Sequence, residues 1–502
     1  MAQGSSASGL ANVNGVLFFA ASDRINGKEL WKSDGTAAGT VLIKDIHTLP
    51  STGSSPDKFC NVNGTVFFAA ADLTNGFELW KGDGTADGTV LVKNIRPGSS
   101  TSFPDNLTNI NGTLFFSATD NSDNNELWKS DGTAIGTVLV KNIFTNTNRS
   151  SYPANFCNVN GTLFFSADNG SANGNELWKS DGTDAGTVMV GDNNPGGDDF
   201  GPVNLTIING TLFFTGDDGT NGKELWKSDG TAAGTVMVKN INGNANTGSS
   251  PARFCAVNGL LFFAANDGVN GNELWKSDGT EAGTVLVKDI VAGSGSSSPG
   301  ILFCNPDGTL FFSAFDVVNG YELWKSDGTA AGTQLVKDIL TGVSSSNISS
   351  FTSVNGSLYF NAFGAGTGFE LWKTDGTTDG TVQVQDIYPG NSSSTPQFLT
   401  AINNTLFFVA KDVLHEQELW KLNVTASTCS PTSSWTGNTS TAWEEATNWS
   451  SGVPCATTAV TIPSGRPRYP IININTSVKS ITAATGSTVN VADGINNIII
   501  GN

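Results

Sequence analysis

The chain is poor in charged residues and in the side chains that most often carry catalysis. Only 14% of its 502 residues are charged, and His47 and His415 are its two histidines. Each histidine is expected in a loop, where a lone histidine is usually solvated. The sequence contains no G-x-S-x-G, H-E-x-x-H or P-loop string. We therefore predict that the protein is not an enzyme.

Positive charge and long apolar runs are also scarce. Asp and Glu number 45 against 26 Lys and Arg, which gives a net charge of -19 and a pI near 4.4. Nucleic acids and anionic membranes need a positive surface, so neither is an expected partner. No apolar run of about 18 residues occurs, so no membrane span is expected. The many uncharged polar residues and the 59 glycines are typical of secreted β-proteins.

The six cysteines form no C-x-x-C or Cys/His cluster, which argues against a zinc site. Four of them occupy equivalent repeat positions, so we expect the repeat spacing to keep them apart as small buried apolar residues. These four are Cys60, Cys157, Cys255 and Cys304. The other two, Cys429 and Cys455, lie outside the repeats and are a candidate disulfide for an oxidising compartment.

One short string, "ELWKSDGTAAGTVLIKDI" at residues 29–46, returns along most of the chain. Its tryptophan recurs every 48 to 50 residues, and a fixed period in this range indicates a propeller, solenoid or array. We expect these side chains to form a structural core. They are Trp31, Trp80, Trp128, Trp178, Trp226, Trp275, Trp324, Trp372 and Trp420.

Each repeat encodes four short strands. In residues 56–95, Asn63-Gly64 joins two apolar runs and is a strong hairpin signal, because both residues tolerate the positive φ of a type I′ turn. Two further strands follow, "ELWKGD" and "TVLVKNI", separated by a glycine turn. The fold class predicted is all-β: a β-propeller of about nine four-stranded blades, with eight as the alternative. The ninth repeat lacks the last strand of the pattern.

The domain boundaries follow from the end of the repeat. Residues 1–424 are expected to form the propeller from nine repeats, and residues 425–434 a linker. Residues 435–502 alternate short strands with glycine turns, which predicts a small β-sandwich or β-solenoid module. Since "NNIIIGN" ends on a strand-like run, we expect the natural chain to continue beyond residue 502.

The repeated polar residues have structural explanations. In "SDGTAAGT" the aspartate can bond the backbone two residues on, and glycine supplies positive φ. If Ser33 pairs with Thr40, then Trp31 falls opposite Leu42 and Glu29 opposite Lys44, which predicts an aromatic–aliphatic pair and a salt bridge in each blade.

The pattern D-x-x-N-G-x-E before each "ELW" is a weak candidate for calcium binding, because it spaces oxygen ligands closely. We favour an Asx turn followed by a glycine turn, since the eighth repeat keeps the loop without the aspartate. The main candidate ligands are Asp72, Asn75, Glu78, Asp218, Asn221, Glu224, Asp267, Asn270 and Glu273. Similar sets are Asp23/Asn26/Glu29 and Asp316/Asn319/Glu322, with Asp120/Asp123/Glu126 as a variant. No other cofactor is indicated.

Over residues 10–422 the repeats resemble the bacterial ELWxxDGT-repeat family of kelch-like β-propellers in secreted and surface proteins. Gly82 and Thr374 replace the usual serine of the motif. Residues 435–470, with "WTG", "NWS" and "VTIP", resemble a module of Bacteroidetes surface proteins exported by type IX secretion. The resemblances imply an extracellular or cell-surface location and no established catalytic activity.

Three functions are consistent with these features. The first is a secreted, non-enzymatic structural or adhesive propeller that interacts with protein or glycan at the cell surface. The second is a lectin-like propeller whose tryptophans stack on sugars. The third is a carbohydrate-active hydrolase or lyase that uses carboxylates in the central channel. We favour the first because the repeats are uniform and because carboxylates present once per blade are better suited to holding blades together.

Overall fold

The computed structural model describes most of the chain. The described residues are 4–122, 124–144, 149–170, 174–196, 199–244, 247–305, 307–424, 432–437, 440–441, 443, 448–450, 459–472, 476–478, 480–491 and 498–500. Contacts divide the chain into two compact units, Met1–Val424 and Thr425–Asn502. Each unit is described by itself.

The first unit is a β-propeller of nine antiparallel sheets, each a meander in which consecutive strands pair. In the part of the chain that the structure describes, eight sheets have four strands and the ninth has three. The all-β, nine-bladed prediction is therefore confirmed.

The strands of the blades occupy four sets of positions. The first strands are β1 (Ser8–Val13), β5 (Asp57–Val62), β9 (Asp105–Ile110), β13 (Ala154–Val159), β17 (Val203–Ile208), β21 (Ala252–Val257), β25 (Leu302–Cys304), β29 (Ser349–Val354) and β33 (Gln397–Ile402). The second strands are β2 (Val16–Asp23), β6 (Thr65–Asp72), β10 (Thr113–Thr119), β14 (Thr162–Asp168), β18 (Thr211–Asp217), β22 (Leu260–Asn266), β26 (Leu310–Asp316), β30 (Ser357–Gly364) and β34 (Thr405–Ala410). The third strands are β3 (Gly27–Ser33), β7 (Gly76–Gly82), β11 (Asn125–Ser130), β15 (Asn175–Ser180), β19 (Lys223–Ser228), β23 (Asn272–Ser277), β27 (Gly320–Ser326), β31 (Gly368–Thr374) and β35 (Glu418–Asn423). The fourth strands are β4 (Val41–Lys44), β8 (Val90–Lys93), β12 (Val138–Lys141), β16 (Val188–Met189), β20 (Val236–Lys239), β24 (Val285–Lys288), β28 (Gln334–Lys337) and β32 (Val382–Gln385).

The Asn-Gly hairpins form as their sequence predicts. Asn63 and Gly64 have φ values of 51° and 87°, the left-handed conformation that a type I′ turn requires. A Cβ on Gly64 would lie 2.5 Å from Nδ2 of Asn14 in the preceding blade. The positive φ of the turn is therefore what requires glycine here, and a larger residue would also displace the amide of Asn14.

The register between the third and fourth strands corrects one prediction. Trp31 lies opposite Leu42, and the hydroxyls of Ser33 and Thr40 are 2.7 Å apart, as predicted. A bulge between residues 30 and 31 places Lys44 opposite Leu30, so the predicted salt bridge with Glu29 was wrong. The bulge adds a residue to the ladder, and the glutamate side chain lies inside the blade instead.

The cores lie between neighbouring blades. Phe18 and Leu30 of the first blade pack with Phe68 and Trp80 of the second, and equivalent clusters follow around the ring. The second strand is buried almost throughout because both neighbouring blades cover it. The hydrophobic effect therefore acts mainly between repeats and less within one repeat.

The ninth blade packs against the first and closes the ring. Leu17 and Phe19 of β2 share a cluster with Phe407 and Val409 of β34. The backbone N–H of Ser6 donates to the carbonyl of Gln417 at 3.0 Å. Neither terminal blade therefore exposes the apolar face that an open stack would leave uncovered.

The second unit contains short strands that pair in parallel. They are β36 (Thr432–Ser434), β37 (Ala459–Ile462), β38 (Ile471–Ile472), β39 (Thr476–Val478), β40 (Ser480–Ala483), β41 (Asn490–Val491) and β42 (Ile498–Ile500). They pair as β36-β37-β40, β38-β41 and β39-β42. Parallel pairing of strands three apart in chain order, as in β37-β40, β38-β41 and β39-β42, is typical of a β-solenoid rather than of an antiparallel sandwich. Trp435, Trp443 and Trp449 are buried together in this unit.

Within the described ranges, no helix has the length and apolarity needed to cross a membrane.

Candidate functional site

The repeated lysines connect each blade to the next. Lys32 Nζ in the first blade donates to the carbonyl of Gly84 in the second at 2.7 Å, and Lys44 Nζ donates to that of Thr89 at 2.7 Å. The bond of Lys32 recurs as Lys129–Gly182, Lys179–Gly230, Lys227–Gly279, Lys276–Gly328, Lys325–Gly376 and, across the closure, Lys421–Gly35. The string "ELWKSDGT" therefore recurs because its lysine and its turn bind each other across at least seven of the nine blade boundaries.

The aspartate of each "DGT" turn is occupied within its own turn. Asp83 Oδ1 accepts hydrogen bonds from the backbone N–H of Thr85 at 2.8 Å and from its hydroxyl at 2.7 Å. These two bonds are the main reason that the pKa of Asp83 is below its ordinary value. The carboxylate therefore stabilises the turn that presents the carbonyl to the preceding blade.

The glutamate of "ELW" is buried in the first eight blades and bonds the connector to the next blade. Glu78 is fully buried and accepts bonds from the backbone N–H of Ile95 at 2.8 Å and from the hydroxyl of Ser102 at 2.6 Å. Burial raises the pKa of Glu78, and the bond from Ser102 opposes that rise. An ionised group at this depth is stable only with such donors.

The candidate calcium ligands fall into two separate hydrogen-bond networks. Asp72 Oδ1 accepts from the backbone N–H groups of Thr74 and Asn75 at 2.7 Å, and Oδ2 accepts from Asn75 Nδ2 at 2.7 Å. Glu78 belongs instead to the buried connector network. The same division holds for the sets that begin at Asp218 and Asp267.

This arrangement is the Asx turn that the sequence favoured. Among the residues described, no group of three or more His, Cys, Asp or Glu side chains is placed to hold a metal ion. Asp123 lies outside the described residues. Calcium binding at these loops stays a prediction.

The repeated tryptophans lie mostly in the core. Seven are buried, Trp226 for example with 7% of its surface exposed. Trp31 and Trp420, in the first and last blades, are half-buried. An indole inside the blade interface cannot stack on a sugar ring.

Two cysteines pair, contrary to the sequence prediction. Cys255 and Cys304 form a disulfide between the first strands of the sixth and seventh blades, with their Cα atoms 6.0 Å apart. The prediction was wrong because first strands of neighbouring blades lie close together near the axis, although they are 49 residues apart in sequence. Cys60 and Cys157 are free and half-buried, and burial raises the pKa of both thiols. Cys429 and Cys455 lie outside the described residues.

The two rims of the propeller differ in character. Because each blade is a meander, the loops between second and third strands share one end with the blade connectors; we call this end the loop rim. The Asn-Gly and DGT turns form the opposite end, the turn rim. Large exposed apolar residues in the second-to-third loops are Ile25, Leu73, Val269, Val317, Val318, Val413 and Leu414. Within the described part of the turn rim, only Ile135 is a large, exposed apolar turn residue.

The ninth blade carries a cavity at the loop rim where its sequence leaves the repeat. The cavity, of about 70 Å³, is lined by Tyr388, Lys411, Asp412, Val413, Leu414, His415 and Glu416. His415 Nδ1 lies 2.9 Å from Asp412 Oδ1, and Lys411 Nζ lies 5.9 Å from the centre of the Tyr388 ring. These lining residues include no Ser, Thr or Cys, so the His–Asp pair has no hydroxyl or thiol nucleophile of the triad type among them. The cavity offers charge and apolar contact to a ligand.

The fourth blade holds an unusual carboxyl group that the sequence analysis missed. Glu176 is fully buried, and Phe200 occupies the position where Ser102 bonds Glu78 in the second blade. Burial, with repulsion from Asp192 and Asp199, raises the pKa of Glu176 to about 8. The available signal was the replacement of the connector serine by phenylalanine, which becomes meaningful only once the partner of the glutamate is known.

No protein-family model and no curated protein matches the chain. Among solved structures, a puromycin hydrolase is similar at 12% identity and a TM-score of 0.38, over 88% of this chain and 77% of that one. A GH74 enzyme from Niastella koreensis has 12% identity and a TM-score of 0.34, over 85% and 72%. A prolyl endopeptidase has 12% identity and a TM-score of 0.38, over 72% of this chain; the chain spans 54% of that protein. Likeness at this level concerns the fold alone.

Proposed function

We propose that the protein is an extracellular or cell-surface, non-enzymatic propeller that binds a partner through its loop rim. The resemblance to the ELWxxDGT repeats and to a Bacteroidetes surface module supports this location. The net charge of -19 agrees with a partner that is neither nucleic acid nor an anionic membrane.

The observation that carries the proposal is the contrast between the two rims. Val413 and Leu414 are 62% and 73% exposed, and Val317 and Val318 are similarly exposed two blades away. Apolar residues exposed side by side on a folded surface are a mark of protein, membrane or ligand interaction sites. The repeated lysines and glutamates, by contrast, form hydrogen bonds that join neighbouring blades. Burial of most tryptophans counts against the lectin alternative.

Paired substitutions on the two rims test the proposal. A loop-rim variant carries Val413→Ser and Leu414→Ser, and the matched control carries Ile135→Ser on the turn rim. Beads coated with each purified protein are measured for attachment to host and bacterial cells and to arrays of surface proteins and glycans. Attachment should fall for the loop-rim variant and persist for the control. Equal attachment by both, or turnover of a glycan by the unaltered protein, would contradict the proposal.

A further inference from the structure

Two exposed aromatic residues lie at equivalent positions of neighbouring blades on the loop rim. Phe103 and Tyr152 each precede the proline that leads into a first strand, in the third and fourth blades. The exposed fractions of the two residues are 63% and 67%. The repeat itself does not need an aromatic ring here, because the other seven blades carry small or polar residues at this position. These are Ser6, Ser55, Gly201, Ser250, Ser298, Asn347 and Thr395.

Both aromatic residues are unfavourable for folding. Phe103 and Tyr152 have a φ of 46°, in the left-handed region where a bulky residue is a rare occupant. Glycine, which the fifth blade uses at this position, adopts such a φ without steric conflict. The exposed rings are also apolar surface left in water. Residues held in this way are concentrated at ligand-binding sites, so the two rings indicate a binding function.

The two rings are held in place by the residues beside them. Ser102 donates its N–H to the carbonyl of Phe77 at 3.0 Å, and its own carbonyl accepts the N–H of Thr119 at 2.7 Å. Ser151 makes the equivalent pair of bonds in the next connector. The proline that follows each ring is buried. A ligand that covers rings presented so rigidly loses little affinity to the ordering of the protein.

The two aromatic positions belong to one patch of surface. Asn106 Nδ2, in the third blade, donates to the carbonyl of Pro153 at 3.2 Å. The segment that carries Tyr152 therefore lies directly against the segment that carries Phe103. Phe77 extends the patch, because its ring centre lies 6.5 Å from that of Phe103 with the two planes within 12° of each other.

A pair of opposite charges borders the patch. Lys58 Nζ lies 3.1 Å from Oδ1 of Asp105, two residues after Phe103, and both charged side chains are about half exposed. An apolar peptide that covered the rings would also take this pair out of water, which is unfavourable. A saccharide suits both parts of the surface. Its C–H groups pack on aromatic rings, and its hydroxyls bond to a carboxylate and to an ammonium group.

We propose that Phe103, Tyr152 and the charged pair beside them bind a neutral saccharide. The rings contact the C–H face of the sugar, Asp105 accepts a hydrogen bond from one hydroxyl, and Lys58 donates to another. An uncharged ligand fits best because the local charges cancel and the chain as a whole carries a net charge of -19. The site goes beyond the proposed function, since it lies on the connectors before the third and fourth blades and not on the loop of the ninth. It also does not involve the repeated tryptophans.

Binding of labelled neutral oligosaccharides to the full chain tests the proposal by fluorescence anisotropy. The probes are short oligomers of glucose, mannose, galactose and xylose with α or β linkages. At least one probe should bind saturably, and its affinity should hardly change with salt because the ligand is uncharged. The double variant Phe103→Ser, Tyr152→Ser should weaken this binding about tenfold or more by removing both ring contacts. Asp105→Ala should weaken it as well, because an acceptor for a hydroxyl is lost.

The double serine variant is matched to the repeat. Serine is the residue that four other blades carry at this position, so the variant should unfold in urea at no lower concentration than the parent. Loss of binding then reports the missing rings and not a loss of structure. The Val413→Ser, Leu414→Ser variant should bind the saccharide as the parent does. Failure of the saccharide site and failure of the ninth-blade proposal are therefore distinguishable.

Three results would overturn the inference. The first is absence of binding by every oligosaccharide in the set. The second is equal saccharide binding by the parent and by the double serine variant. The third comes from labelled apolar and proline-rich peptides in the same assay: if the parent binds such a peptide and the double serine variant does not, the rings serve a protein partner instead.

Discussion

Replacing Glu176 by glutamine should make the stability of the protein less sensitive to pH. The pKa of Glu176 is about 8, against an ordinary value of 4.5, chiefly because the group is buried and also because Asp192 and Asp199 repel its charge. Glutamine retains a side-chain oxygen that can accept the backbone N–H of Asn193, as Oε2 of Glu176 does, and it never ionises. The effect of the replacement therefore isolates the titration of this carboxyl group.

The direction follows from the raised pKa. Below about pH 4.5 the group is protonated in both the folded and the unfolded chain. As the pH rises towards 8, the unfolded chain loses the proton while the folded chain retains it, so stability falls through this window. One pKa unit corresponds to ~1.4 kcal/mol, which sets an upper limit of ~5 kcal/mol for the full shift. Solvent relaxation around a group near a surface loop reduces this to about 2–3 kcal/mol.

Urea unfolding of the parent and of Glu176→Gln at about pH 5 and about pH 9 measures this difference. The variant should gain about 2–3 kcal/mol relative to the parent between the two conditions. Glu224→Gln in the fifth blade is the matched control: burial raises the pKa of Glu224 as well, but the hydroxyl of Ser249 opposes that rise, so its replacement should change the pH dependence in the same direction and by a smaller amount. If Glu176→Gln shifts stability equally at both pH values, the proposed titration is refuted.

Four further outcomes are expected. Trp226→Ala should destabilise the chain by about 3–5 kcal/mol, and Trp420→Ala, which is half-buried, by clearly less; equal costs in urea unfolding would contradict the core assignment. Cys304→Ser should cost up to about 4 kcal/mol through the lost loop closure, and non-reducing peptide mapping should show the bond in the parent only. The melting temperatures in chelator and in millimolar Ca²⁺ should agree closely, because the carboxylate of Asp72 already accepts hydrogen bonds within its own turn. A large increase in melting temperature with Ca²⁺ would identify Asp72 as a ligand. Deleting residues 10–50 should produce an aggregating protein by light scattering, since the ring could not close, and a stable monomer would speak against closure.

The fold was predictable because its signals are local. A turn such as Asn63-Gly64 needs only the conformational freedom of two residues, so its position can be read without knowing the rest of the molecule. Strand number per repeat and repeat number follow in the same way. Even the three-stranded form of the ninth blade, as far as the structure describes it, agrees with one absent string after Trp420.

The partners of the repeated polar residues were not predictable in the same way. A bulge between residues 30 and 31 moves Glu29 out of reach of Lys44 and into a network with the connector at Ser54. A bulge inserts one extra residue into a strand pair, and the alternation of side chains in the sequence does not show where that insertion falls. The salt-bridge hypothesis failed for this reason.

The sequence by itself determined a ring of nine antiparallel blades with tryptophan-containing strands, because hairpin turns and strand alternation are short-range properties. Tertiary structure alone decided that Lys32 would bind the turn of the next blade, that Cys255 would meet Cys304, and that Glu176 would keep its proton near neutral pH. Each of these depends on distances between atoms of different blades or connectors. Those distances are set by the packing of large apolar side chains between blades, which no single repeat contains.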